Sequence, residues 1–158
     1  MPKLKYFLML PALAAAFAMP ARAQAQVVAE NAWSRATPPG AGVGAIYLTL
    51  ASPADDTLTG VSSPAASAAQ VHEMAMDGAV MRMRELSTGL ALPAGQKVSL
   101  QPGGYHIMLV GLKAPLKQGE TVPVHLTFAK SAPLDITVPV SALGAAKAPA
   151  TTGGTKTP

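Results

Sequence analysis

The chain has 158 residues, with twelve basic against eight acidic side chains, fifteen Pro, fourteen Gly and no Cys. That length holds one ordinary domain, and the lack of Cys excludes disulfides, thiol redox chemistry, Cys nucleophiles and the Cys ligand of a blue-copper electron carrier. Three of the twelve basic residues (Lys3, Lys5 and Arg22) fall in a leader, so the rest is close to charge balance and offers no basic patch for nucleic acid.

Met1 to Tyr6 carries the two leader lysines, and Phe7 to Ala18 is apolar apart from Pro11. Ala21-Arg22-Ala23 is a small-x-small cleavage pattern, with Ala23-Gln24-Ala25 as an alternative. This is the pattern of a secretory signal peptide over 1–23, too short to span a membrane. It implies export, and a mature domain over 24–142.

After the leader no stretch holds a helical period, whereas short apolar runs alternate with Gly and Pro. Strands are expected over 27–35, with Trp33 as a core aromatic, then over 42–50 and 57–62. Thr37-Pro38-Pro39-Gly40 and Ser52 to Asp56 read as turns, and the Asp55-Asp56 pair as solvated surface. Leu90 to Leu92 is a short apolar piece between turns, and further strands are expected over 97–100, 105–110, 121–130 and 134–140. Many short strands with turns every 8–12 residues indicate an all-β, antiparallel sandwich or barrel. From Ser141 the composition shifts to Ala, Lys, Pro, Thr and Gly, so 143–158 is expected to be a disordered tail.

Between these strands lies Val71 to Arg84, VHEMAMDGAVMRMR. Of the eight Met in the chain, Met1, Met9 and Met19 belong to the leader; the other five are Met74, Met76, Met81, Met83 and Met108. Asp77-Gly78 is a strong two-residue hairpin signal. With that loop, His72 faces Met83, Met74 faces Met81 and Glu73 faces Arg82. Residues two apart in a strand share a face, so His72, Met74 and Met76 point one way, as do His106 and Met108. A single Met is more often core filler than ligand. Two His-plus-Met pairs at strand spacing, with no Met elsewhere in the mature chain, match random core filling poorly.

Thioether and imidazole together suit Cu(I) far better than Mg²⁺, Ca²⁺ or Mn²⁺, and a Met-rich set disfavours Zn²⁺. Two His and two Met form a neutral set that binds the reduced ion and loses it in acid as the imidazoles protonate. That points to carrying copper rather than cycling electrons. His125 stands in a strand with no Met at two-residue spacing and is a weaker candidate. No nucleophile or acid-base constellation argues for an enzyme, and no catalytic residue is assigned.

On these residues the chain resembles the periplasmic copper chaperones called PCu(A)C. The resemblance runs through AWSRATPPGAGVGAIYLTL, TLTGVSSPAA, HEMAMDGAVMRMRE and LQPGGYHIMLVGLKAPLKQGE. The family pattern is His, ten residues, Met, about twenty-one residues, then His-x-Met. Here ten residues separate His72 from Met83 and twenty-two separate Met83 from His106, the extra one assigned to the Ser87-Thr88-Gly89 turn. The resemblance implies a cupredoxin-like β-sandwich with a Greek key, and Cu(I) ligands at His72, Met83, His106 and Met108. It also implies delivery to the CuA centre of cytochrome c oxidase in the periplasm, alongside Sco-type assembly proteins. The tail has no His or Met, which argues against the extra tail site of some members.

The residues leave two other readings open: a copper storage or resistance protein, and a structural or interaction sandwich whose Met face meets a partner. A monomer without a membrane span after cleavage is expected.

Overall fold

A computed structural model describes residues 26–148. The expected signal peptide over 1–23 lies outside them, and so does 149–158 of the expected tail. Among the described residues no helix is long and apolar enough to cross a membrane.

Ten strands follow one another: β1 Val28–Arg35, β2 Val43–Ala51, β3 Asp56–Ser62, β4 Ala66–Asp77, β5 Val80–Glu85, β6 Leu90–Leu92, β7 Lys97–Leu100, β8 Tyr105–Leu112, β9 Thr121–Phe128 and β10 Leu134–Ser141. Their hydrogen-bonded order is β5-β4-β8-β7-β2-β1-β10-β9-β3-β6, with β8 also pairing β2. The ladders are antiparallel except at β1–β10 and β7–β8, which run parallel. The fold is the expected all-β sandwich, and the parallel β1–β10 pairing joins its two halves.

Alternation builds the core. Ile46, Leu48 and Leu50 of β2, Ile107 and Leu109 of β8, and Val122, Val124, Leu126 and Phe128 of β9 all bury the same-parity side chains. With Leu58 of β3 and Val138 and Val140 of β10 they form one cluster fed by both halves. Each such side chain contributes about 1.5–3 kcal/mol by leaving water.

Trp33 is a buried aromatic, as expected: it pairs with Tyr47 across β1–β2, with ring centroids 4.7 Å apart. The Arg35 guanidinium stands 5.8 and 5.7 Å from the two rings. One expectation is corrected here. Asp56 is not solvated surface but buried. Its carboxylate accepts backbone N–H bonds from Thr57 at 2.8 Å, Lys130 at 3.0 Å and Ser131 at 2.9 Å, tying the start of β3 to the β9–β10 turn. The described residues after β10 turn back toward β1, where Arg35 Nε donates to the Ala145 carbonyl at 2.5 Å.

Candidate metal centre

The hairpin forms, but one residue further along than the Asp77-Gly78 loop predicts. Asp77 pairs with Val80, so Gly78 and Ala79 make the turn. Gly78 has φ +65°, while Asn31 is the sole non-Gly residue described with positive φ. Glycine at the first central position alone is the pattern of a type II′ turn. A loop of Asp77-Gly78 would have required positive φ at Asp77 as well, which a residue with a Cβ resists. The pairs become Met74 with Met83, Met76 with Met81, Glu73 with Arg84 and His72 with Glu85. Each partner moves by two residues, so every side chain keeps its expected face.

The opposite edge of β4 brings in the second imidazole. His72 pairs with His106 and Gln70 with Met108 across β4–β8, and the two imidazole centroids are 5.8 Å apart. The neighbouring pair, Val71 with Ile107, points the other way into the core. The imidazoles and thioethers therefore share the outer face of the sandwich, which on β2 carries Ala45 opposite Met108.

His72, His106 and Met108 occupy one cell of this face. Met83 sits a diagonal step beyond His72, on the sheet's edge strand β5, and is 48% exposed. Met83 is level with Met74 and Met108 with Gln70, so the two thioethers flank His72 on opposite sides along the strand. The structure thus joins three of the four expected ligands and leaves Met83 outermost. His125 is not brought to them: its Nδ1 lies 2.6 Å from Asp135 Oδ1 across β9–β10.

The hydrogen bonds decide which ring atoms are free. His106 Nδ1–H donates to the Gly104 carbonyl at 3.2 Å. That fixes the tautomer and leaves Nε2 as the lone-pair nitrogen, the usual arrangement of a metal-binding imidazole. Gly104's carbonyl also accepts the Met74 N–H at 3.2 Å, so one oxygen orients the ring and pins β4. His72 Nε2–H donates to Gln70 Oε1 at 3.2 Å, and His72 Nδ1 is buried with no hydrogen-bond partner. A buried acceptor without a partner costs about 1–3 kcal/mol, and a metal ion is the kind of group that would relieve it. His106 is only 5% exposed. Burial lowers its pKa below the ordinary 6.5, the nearby His72 adds to that, and the bond to Gly104 opposes it. Burial and the neighbouring imidazole therefore favour the neutral, ligand-competent ring.

Among the described residues no three His, Cys, Asp or Glu side chains are grouped to hold a metal, so a metal here would draw on sulfur as well as nitrogen. Two ion pairs lie on the opposite face of the hairpin, where Arg84 meets Glu73 at 2.6 Å and Arg82 meets Asp77 at 2.8 Å; Glu85, level with His72, is the hairpin's charge on the ligand face. Sequence reasoning missed Gln70 and Gly104 as the groups that orient the rings. Gln70 was within reach, since it lies two residues before His72 and must share its face. Gly104 carries no side chain to signal its role.

The family profile described as "Putative lipoprotein LpqE-like" matches residues 27–140. The chain is 37% identical over 116 residues to the Lxx21020 protein of Leifsonia xyli subsp. xyli, which bears the same lipoprotein description. That match covers 72% of this chain and 69% of the other. Among solved structures, Cu(I)-bound DR1885 from Deinococcus radiodurans is 34% identical with a TM-score of 0.60, covering 77% of this chain and 83% of that one. Its apo form is 32% identical, with a TM-score of 0.57 and coverage of 90% and 97%. The copper-bound PCuAC domain of PmoF2 is 25% identical, with a TM-score of 0.61 and coverage of 74% and 93%.

Proposed function

The chain belongs to the LpqE-like family, that of the PCu(A)C domains, and from that premise we propose that it is an exported Cu(I) carrier. His72 Nδ1, His106 Nε2 and the thioethers of Met83 and Met108 are its ligands. The observation that carries this reading is the buried, unpartnered Nδ1 of His72 beside a second imidazole whose own Nδ1 is already engaged. Two neutral nitrogens and neutral sulfurs suit a soft monovalent ion. Copper bound in two relatives of this fold supports the choice of metal.

The carrier works by ligand exchange. Completing the set with Met83 requires the β4–β5 hairpin to curl toward His106. An edge strand paired on one side only permits that motion, since β5 is exposed along its whole length. The same freedom lets an acceptor displace Met83 first and the imidazoles afterwards. The CuA centre of cytochrome c oxidase, with Sco-type proteins, is the proposed acceptor system. The leader, together with the lipoprotein description of the matched relative, supports export to the periplasm.

The test is an anaerobic Cu(I) titration against a competing chelator, with wild type beside a His72→Ala/Met83→Ala variant. A tightly held ion that the wild type binds and the variant loses supports the site. Weak binding, or binding indifferent to the two substitutions, returns the Met face to a protein interface. Delivery is read separately, by mixing loaded protein with an apo CuA domain and following the CuA absorption.

A further inference from the structure

The hairpin carries more thioethers than the carrier site uses. Met74 pairs with Met83, and Met76 with Met81, on adjacent rungs of one face. Directly opposed side chains have Cβ atoms roughly 4.5–5.5 Å apart and diagonal ones about 7–8 Å, within reach of a flexible Met. Four sulfurs thus surround one cell of the pleat at the tip. Core packing does not explain them. Met76 is 62% and Met81 51% exposed, and no Met among the described residues belongs to the hydrophobic core or to the residues packed against it. An apolar side chain left this far in water contributes little to stability.

We propose that Met74, Met76 and Met81, with Met83 at the boundary, form a second, all-thioether Cu(I) site that receives the ion before the imidazoles do. Three or four neutral sulfurs favour Cu(I) over the harder ions. The nearest cations, Arg82 and Arg84, do not oppose a cation there: both lie on the other face, each in an ion pair with Asp77 or Glu73. Met83 stands in both sets. An ion at the tip therefore reaches the His72–His106 pair by exchanging its outer sulfurs while keeping Met83, with no change of oxidation state. The exposed tip captures and the half-buried pair retains. This assignment rests on the carrier reading only for the identity of the ion.

The experiment adds Cu(I) anaerobically to protein labelled at the Met ε-methyl carbons, and reads stoichiometry together with methyl shifts. Wild type should bind two ions, the second moving the Met74, Met76 and Met81 methyls. Met76→Leu/Met81→Leu, which conserves volume, should hold one ion. His72→Ala/His106→Ala should also hold one, with the tip methyls still shifting. Two ions retained by the double-Leu variant, or tip methyls that stay still at every addition, overturns the tip site and leaves it an apolar surface for a partner. The carrier reading fails on a different result, namely a His72→Ala/His106→Ala variant that keeps both ions.

Discussion

At His106, burial and the neighbouring imidazole both favour the neutral ring, and the consequence has a sign. The folded protein holds this proton less tightly than the unfolded chain, whose value is near 6.5. The unfolded state therefore binds more protons in the window between 6.5 and the lowered folded value. The contribution is present in full above 6.5 and is lost as pH falls through that window. Urea midpoints of the copper-free protein should decline there, and His106→Gln should flatten the decline. Asp56 acts in a separate window. Burial alone would raise its pKa, but bonds from the Ser131 side chain and from the Thr57, Ser131 and Lys130 backbone outweigh it, and the net shift is below 3.8. Its stabilisation is present above 3.8 and disappears as pH falls through the still lower folded value. Asp56→Asn should cost about 1–3 kcal/mol at neutral pH by weakening charge-assisted bonds to three backbone donors, measured as a shift of the denaturation midpoint.

The outer part of the β4–β5 hairpin, from Met74 to Glu85, is where the site depends on residues outside the core cluster, which draws on β4 only at Ala66 and Val71 and, at its margin, Ala69. All six residues of β5 are exposed, and only Gly78 supplies the positive φ of its turn. Gly78→Val places a β-branched residue at φ +65°, which costs about 1–3 kcal/mol of local strain. That cost falls on the hairpin rather than on the sandwich. The expected result is faster amide exchange over Met81 to Glu85 and weaker Cu(I) binding, with little change in the global unfolding midpoint. A large fall in that midpoint would show that the hairpin is part of the cooperative unit after all. The Glu73–Arg84 pair adds little here: one partner is largely exposed, and such pairs contribute roughly 0–1 kcal/mol.

For the whole molecule, the two halves of the sandwich share one core, so stability should be cooperative. Leu58 on β3 is fully buried in that shared cluster. Leu58→Ala should cost about 2–5 kcal/mol, read from chemical denaturation. The copper stoichiometry of the protein that remains folded should not change, because the ligands lie on the far face of the sheet from this residue. A Leu58→Ala protein that stays folded yet loses copper would place the ligand face under the control of the core.

What the sequence determined by itself is local. Alternation within a strand follows from backbone geometry alone, so nearly every strand was legible within a few residues, and His72, Met74 and Met76 were on one face whatever their partners. The soft-donor chemistry followed from composition, because the five Met after the leader and two of the three His fall within one window. The strand partners and the registers were decided only in three dimensions. The turn moved to Gly78-Ala79 because two loops could use the same glycine, and the chosen one spares Asp77 a strained φ. Asp56 was misjudged because its backbone partners at 130–131 are remote in sequence. Most important, His72 meets His106 because Val71 and Ile107, one residue away on the inner face, pack together in the core. A one-residue slip would expose that pair and separate the imidazoles' faces. Hydrophobic burial on one side of the sheet thus sets the spacing of the donors on the other, and no local pattern encodes it.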